Sequence, residues 1–270
     1  VIQPATSARV AFRFETLLDA PVVHGISGRL ASAGHQGDVG HGRDTDSDQI
    51  EYNRSAFLAD LGIDPTVLTL GRQTHGSNVQ VVTAVDRGRG RFPKFDGYPE
   101  TDALVTNDPT IALGVIVADC VPLLLYDPVQ HAIGVVHAGW RGTVSGIATR
   151  TVETMRASFG TNPVDLRVGI GPSIGPCCYE VGPEVIDAWT ERGIDRSSAA
   201  ISNKGSHFDL WTANLLNLQA AGVDPAQVEL SGVCVRCNVD RFFSYRAARR
   251  GAALAGRMLL VAQLAERTGV

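Results

Sequence analysis

Three side chains with metal-ligand chemistry sit where buried-looking apolar runs end: His75 in Arg-Gln-Thr-His-Gly, Cys120 in Ala-Asp-Cys-Val-Pro and His137 in Val-Val-His-Ala-Gly-Trp. Imidazole nitrogen and thiolate sulfur are donors for Zn²⁺, and three protein ligands leave a fourth position open, as in a catalytic rather than a closed structural site. An open zinc position makes water reactive near neutral pH. The same donors also bind copper well. Taken singly, a His or Cys flanked by Val, Leu and Gly packs as a core residue more often than it ligates. Separations of 45 residues between positions 75 and 120, and 17 between 120 and 137, carry no ligand signature of their own.

Other residues add chemistry around this set. Arg141 follows Gly139-Trp140 where an amphipathic helix is expected to begin, so backbone N–H groups and a guanidinium would hold phosphate, against the alternative of a surface ion pair. Asp119 orients a ligand or moves a proton if the backbone bends, because consecutive strand residues otherwise face opposite ways. Cys177 and Cys178 precede Tyr179 in a Gly- and Pro-rich turn, where they line a pocket or pack as small buried residues. Cys234 and Cys237 form a C-x-x-C with no second pair evident in the sequence, and read as structural. Arg246, Arg249 and Arg250 read as a solvated basic face.

The elements that must position these groups follow from apolar patterning. Strand-like runs rich in Val, Ile and Leu cover 78–85, 111–117, 121–126, 132–137, 166–170, 228–235 and 257–262. Val144, Ile147, Val152, Met155 and Phe159 form a helical stripe, Pro183 after Gly182 suits a helix start, and Asp209 suits the cap of a helix carrying Leu210, Leu215 and Leu218. Two stretches rich in Gly and charge, 31–47 and 86–100, read as loops rather than linkers. Strands and helices alternate irregularly, so a single-domain α/β or α+β sandwich fits better than a regular βαβ array.

The 270 residues are 44% hydrophobic and 19% charged, an ordinary globular balance. Lys plus Arg number 24 against 28 Asp plus Glu, and the net charge of −4 offers no overall basic field for nucleic acid. No membrane helix is expected, since the longest apolar run, 111–126, is broken by Asp119. The segment 1–9 lacks the basic start and apolar core of a secretory leader, and five cysteines are too few and odd in number for a disulfide scaffold; both point to the cytoplasm. Nothing in the sequence signals an oligomeric state.

Six blocks then occur in order: Arg72-Gln-Thr-His-Gly76, Thr101-Asp-Ala-Leu-Val-Thr106, Ala118-Asp-Cys-Val-Pro122, His137-Ala-Gly-Trp-Arg-Gly142, Gly169-Ile-Gly-Pro-Ser-Ile-Gly-Pro-Cys-Cys-Tyr-Glu180 and Phe242-Phe-Ser-Tyr-Arg246. Over nearly the whole chain they resemble the laccase-domain proteins, also called polyphenol oxidases, purine nucleoside phosphorylases and peptidoglycan-editing factors. The resemblance implies an α+β (mixed α/β) sandwich of mixed sheets with helices packed outside, spanning 1–270 as one domain. It implies one zinc held by His75, Cys120 and His137. Beside that zinc, Cys120 and Asp119 are the expected catalytic residues. Gln73, Arg141, Cys178 and Tyr179 become the expected substrate contacts. Two positions depart from the family's usual pattern, Asp38-Val-Gly40 in place of Asn-Leu-Gly and Ala247 in place of Asp.

The implied reactions are phosphorolysis of adenosine, inosine and methylthioadenosine, with purine nucleoside and phosphate as partners, and deamination of adenosine. Deamination calls for an acid or base such as Asp119 or Glu180, and phosphorolysis for an anion site at Arg141. Copper-dependent oxidation of phenols is an alternative, although a multicopper centre needs many closely spaced histidines and the chain has seven with no His-x-His. A second alternative is metal-free hydrolysis of a peptidoglycan-precursor amide, with Cys120 as nucleophile and His75 or His137 as base. A closed zinc-stabilised binding module fits an open three-ligand set less well.

Overall fold

Period-two alternation in the central strands decides the layering. In the strand Val121–Asp127, Val121, Leu123 and Leu125 pack into one core while Leu124 and Tyr126 pack into another. A strand buried on both faces must lie between two other layers. The computed structural model describes residues 9–30, 34–40, 46–92, 97–192 and 206–266. Its strands are β1 Val10–Phe12, β2 Val22–Ser27, β3 Leu68–Leu70, β4 Val79–Val81, β5 Ala103–Thr106, β6 Ala112–Val117, β7 Val121–Asp127, β8 Ala132–Ala138, β9 Arg167–Ile170, β10 Val228–Leu230 and β11 Met258–Leu264. The helices are α1 Ser47–Asp60, α2 Trp140–Val144, α3 Ile147–Phe159, α4 Pro183–Thr190, α5 Leu210–Ala220 and α6 Tyr245–Arg249.

Two mixed sheets result, one ordered β1-β2-β11-β6-β3 and the other β10-β9-β7-β8-β5-β4. In the first, β11 runs antiparallel to both β2 and β6, and β3 is parallel to β6. In the second, β7 is antiparallel to β8 and β9, and β4 is parallel to β5. Leu113, Val115, Val117, Met258 and Leu260 of the first sheet meet Leu104, Leu124, Ile133 and Val135 of the second in a shared core. Phe57 and Leu58 of α1 cover the outer face of the first sheet with Leu259 and Val261. On the far face of the second sheet, α3, α4 and α5 contribute Val152, Met155, Trp189 and Leu218. The fold is therefore a single mixed α/β domain, a sandwich of mixed sheets with helices outside, as the resemblance implies.

Differences from the expected elements have local causes. The helical stripe over 144–159 splits because Gly146 adopts a left-handed φ of 74°, leaving Val144 on the short α2 and starting α3 at Ile147. The run 78–85 is strand only over β4 before the 3₁₀ turn Ala84–Asp86, and 228–235 only over β10. Asp209 caps α5 as expected, accepting the N–H groups of Trp211 and Thr212. Helix α1 lacks an apolar stripe because the polar Asn53 and Arg54 are buried on its inner side. The segments 31–33, 41–45 and 93–96 of the two expected loops, and 1–8 of the segment read for a leader, lie outside the described residues. Among the described residues no helix is long and apolar enough to cross a membrane.

Candidate metal centre and cavity

The three donors converge from chain turns at one end of the sandwich. Cys120 stands in the three-residue turn between β6 and β7, His137 near the end of β8, and His75 in the connection from β3 to β4. Their ligand atoms lie within 4.8 Å of one another, and the rings of His75 and His137 meet edge to face at 4.8 Å. Gly139 makes room for them: a Cβ there would stand 2.8 Å from His75 Cδ2 and 3.1 Å from Cys120 Sγ.

Asp102, buried directly before β5, orders the cluster from behind. Its Oδ1 accepts His137 Nδ1–H at 2.7 Å and the His75 N–H at 3.0 Å, while Oδ2 accepts the N–H groups of Thr74 at 3.0 Å and Gly76 at 2.9 Å. His137 therefore turns Nε2 toward the cluster, and the three successive residues Thr74, His75 and Gly76 are wrapped on the same carboxylate. These bonds hold His75 at φ 62°, a left-handed conformation uncommon outside glycine. Burial opposes ionisation of Asp102, but His137 and the N–H groups of Thr74 and Gly76 outweigh it and keep the carboxyl below its usual range. Sequence reasoning missed this role, although Asp102 lies in a quoted block; the signal was an acid directly before a fully buried strand.

Burial likewise raises the Cys120 thiol, yet His137 and His75 beside it win and bring it down to about 6. His137 is pushed up despite burial, by the Cys120 thiolate and by Asp102. The backbone does bend at Asp119, whose φ is 84°, so both Asp119 and Cys120 face the same cavity. Both carboxylate oxygens of Asp119 are engaged at 2.6 Å, Oδ1 by the Ser244 hydroxyl and Oδ2 by the Arg246 N–H. Burial raises its pKa against those bonds.

The cluster opens into a cavity of about 730 Å³ whose wall includes Arg72, Arg141, Arg246 and Arg257 with Trp140 and Tyr179. Arg141 stacks on Trp140 at 4.3 Å and Arg246 on Tyr179 at 5.3 Å. Cations thus gather on one concave surface of a chain with net charge −4. Arg141 and Tyr179 both line the cavity, and other residues lie elsewhere than their sequence suggested. Arg246 faces the cavity and not a solvated surface, because its N–H is tied to Asp119. Glu180 is exposed and its carboxylate pairs with Arg250 at 3.5 Å; it is not a wall residue, although its carbonyl oxygen accepts Arg246 Nη1–H at 2.8 Å. Gln73 reaches the wall, yet its amide is engaged at both ends by the Ile116 backbone, at 2.7 and 2.8 Å. Cys178 is not a wall residue; its Sγ lies 3.5 Å from that of Cys237, so the C-x-x-C does have a second pair.

The two departures from the family pattern also find places. Asp38 Oδ1 accepts the N–H groups of Gly40 at 2.8 Å and Arg257 at 2.7 Å, which fixes Arg257 at the cavity. Ala247 is buried in α6, with its N–H 3.2 Å from the Ser244 hydroxyl.

A two-sheet sandwich carrying His75, Cys120 and His137 under an arginine-lined cavity defines a class with a metal-capable centre, and comparison with known proteins supplies the family. Residues 24–265 match the family described as multi-copper polyphenol oxidoreductase laccase, and the chain belongs to it. A purine nucleoside phosphorylase of Bacteroides thetaiotaomicron is 35% identical over 217 residues, 79% of each chain. The adenosine deaminase RL5 of an unknown prokaryotic organism is 38% identical over 197 residues, 72% of this chain and 74% of the relative. The crystal structure of YlmD from Geobacillus stearothermophilus superposes with a TM-score of 0.87 at 32% identity, covering 98% of this chain and 99% of the other.

Proposed function

We propose that residues 1–270 form one cytoplasmic, metal-dependent purine nucleoside enzyme that cleaves adenosine, inosine and methylthioadenosine with phosphate and also deaminates adenosine. The observation that carries this reading is the His75/Cys120/His137 cluster at the base of a cavity lined by arginines and aromatic rings. The relatives named purine nucleoside phosphorylase and adenosine deaminase support the same substrate class.

These three donors fit one zinc ion. Two imidazoles and a thiolate converge, a carboxylate fixes the far nitrogen of His137, and a glycine leaves the space in front free. Copper would be held by the same three residues. When bound, the ion supplies Lewis-acid polarisation at an open coordination position.

The chain's own residues supply binding and orientation. Arg141 and Arg246 offer forked guanidinium donors to phosphate, and the rings of Trp140 and Tyr179 offer faces for a purine. Asp119 acts as a positioning residue that, with the buried Ser244 hydroxyl, sets Arg246 against the cavity. In phosphorolysis a phosphate oxygen bonds to ribose C1′ as the bond from C1′ to the base breaks, so the guanidiniums must hold phosphate beside the sugar. In deamination water adds at C6 and ammonia leaves.

A second reading has its own observation. Asp102, His137 and Cys120 form a relay in which the carboxylate orients an imidazole beside a thiol, the arrangement of a cysteine hydrolase. Release of base and of ammonia from adenosine, with and without phosphate, separates the readings. The expected result is phosphate-dependent release of base, abolished by chelation and by Cys120→Ala, with KM for phosphate raised about 10- to 100-fold in Arg141→Ala, the cost of one charged hydrogen bond. Ammonia release alone would reduce the activity to deamination. Amide hydrolysis that survives chelation and dies on thiol alkylation would replace the metal reading with the cysteine one.

A further inference from the structure

We propose that Cys177, Cys178, Cys234 and Cys237 bind a second zinc ion, in a closed tetrathiolate site separate from the His75/Cys120/His137 cluster. The four Sγ atoms lie within 4.8 Å of one another. Cys237 Sγ stands 3.7 Å from that of Cys177 and 3.5 Å from that of Cys178. A tetrahedron with Zn–S bonds of about 2.3 Å has S···S edges of about 3.8 Å, so these two separations match such edges and no pair of the four exceeds 4.8 Å. All four are free thiols, and two of them, Cys177 and Cys237, are exposed, where apolar packing gives no reason for cysteine.

The backbone builds the site from two distant segments. Ser173 and Cys234 form a bridge between them, secured by the Ser173 N–H to Val233 O at 3.2 Å and the Val235 N–H to Ser173 O at 3.0 Å. The Cys237 N–H closes a turn onto Cys234 O at 3.2 Å, which brings the C-x-x-C thiols together. The Gly175 N–H donates to Cys234 Sγ at 3.3 Å, a bond suited to a ligating thiolate. Binding is an exchange without redox change: four thiols release four protons and four Zn–S bonds form.

Four protein ligands close the coordination sphere, so this ion is structural. It ties the Gly169–Glu180 block to the 231–246 segment directly behind the cavity wall. Ile174 and Tyr179 line the cavity, and the Ile174 N–H bonds Asp119 O at 2.9 Å. The second zinc would thus brace one wall of the cavity.

Zinc stoichiometry of freshly purified full-length protein, together with the cobalt-exchanged absorption spectrum, tests this. Wild type should carry two zinc ions per chain, and both Cys120→Ala and the double variant Cys177→Ser/Cys237→Ser should carry one. Cobalt-exchanged Cys120→Ala should keep the thiolate charge-transfer and intense d–d bands of a tetrahedral tetrathiolate, and the double variant should lose them. The spectrum of Cys120→Ala decides the matter even if the double variant does not fold. Absence of those bands there, or mass spectrometry showing disulfides among these four cysteines, would overturn the proposal.

Discussion

Replacing Asp102 by Asn keeps the shape of the side chain but substitutes an NH₂ donor for one of its two accepting oxygens. Oδ1 serves His137 and His75, and Oδ2 serves Thr74 and Gly76, so either orientation of the amide loses one acceptor and the two hydrogen bonds it receives. The expected result is about 10- to 100-fold weaker zinc binding, the usual cost of losing such a carboxylate partner to a ligating imidazole, with the fold retained. Competition with a chromophoric chelator measures it, and unchanged affinity would remove Asp102 from the site. At this scale the residue types marked His75, Cys120 and His137 as candidates, but only the six ordered blocks of the family resemblance joined them into one set, which the fold brings within 4.8 Å. Asp102 was not, because its role depends on a pairing between β5 and a turn nearly thirty residues earlier. Nor was the four-cysteine cluster, since nothing in the spacing brings 177–178 to 234–237.

Elements hold the donors by leaving things out as much as by contact. β3 pairs with β6 up to Leu70 and Gly114, after which the Gln73 amide continues the ladder by pairing with both backbone groups of Ile116. That side-chain extension carries the chain from a sheet into the turn that presents His75. Opposite it, the step from β8 to α2 passes Gly139, whose missing Cβ is the space next to two donors. Gly139→Ala should displace His75 or Cys120, lowering zinc affinity and costing about 1–3 kcal/mol of stability, the usual price of overpacking. Urea unfolding and zinc titration check both, and a variant that binds zinc like wild type would show that the site relaxes freely. Long buried strands were legible from their apolar runs. Helix α1 and the strands β1 and β3 were not, because three-residue strands and a helix with buried polar groups give no clear period.

For the whole molecule, acid stability has a specific contributor in His24. Its Nε2 accepts the Phe14 N–H at 3.0 Å and its Nδ1 faces Val22 O at 3.3 Å, so only the neutral ring satisfies both partners. Burial lowers its pKa from 6.5. A histidine depressed in the folded state leaves the unfolded chain with more bound protons, so its stabilising contribution is complete above pH 6.5 and is lost as pH falls below that value. Unfolding free energy measured between about pH 7 and 5 should fall less steeply in His24→Gln, by up to one proton per molecule, and an identical slope would contradict the assignment. The same global view bears on how the molecule comes into being. β11 lies between β2 and β6, in the middle of the first sheet, although it follows every other described element in the chain. A ribosome that has delivered the other ten strands has made a sheet with an open slot at its centre, two unpaired edges and a half-exposed core. Completion must then await release of the segment 258–264, and a product halted before it would be a substrate for chaperones and proteases instead of a smaller working protein.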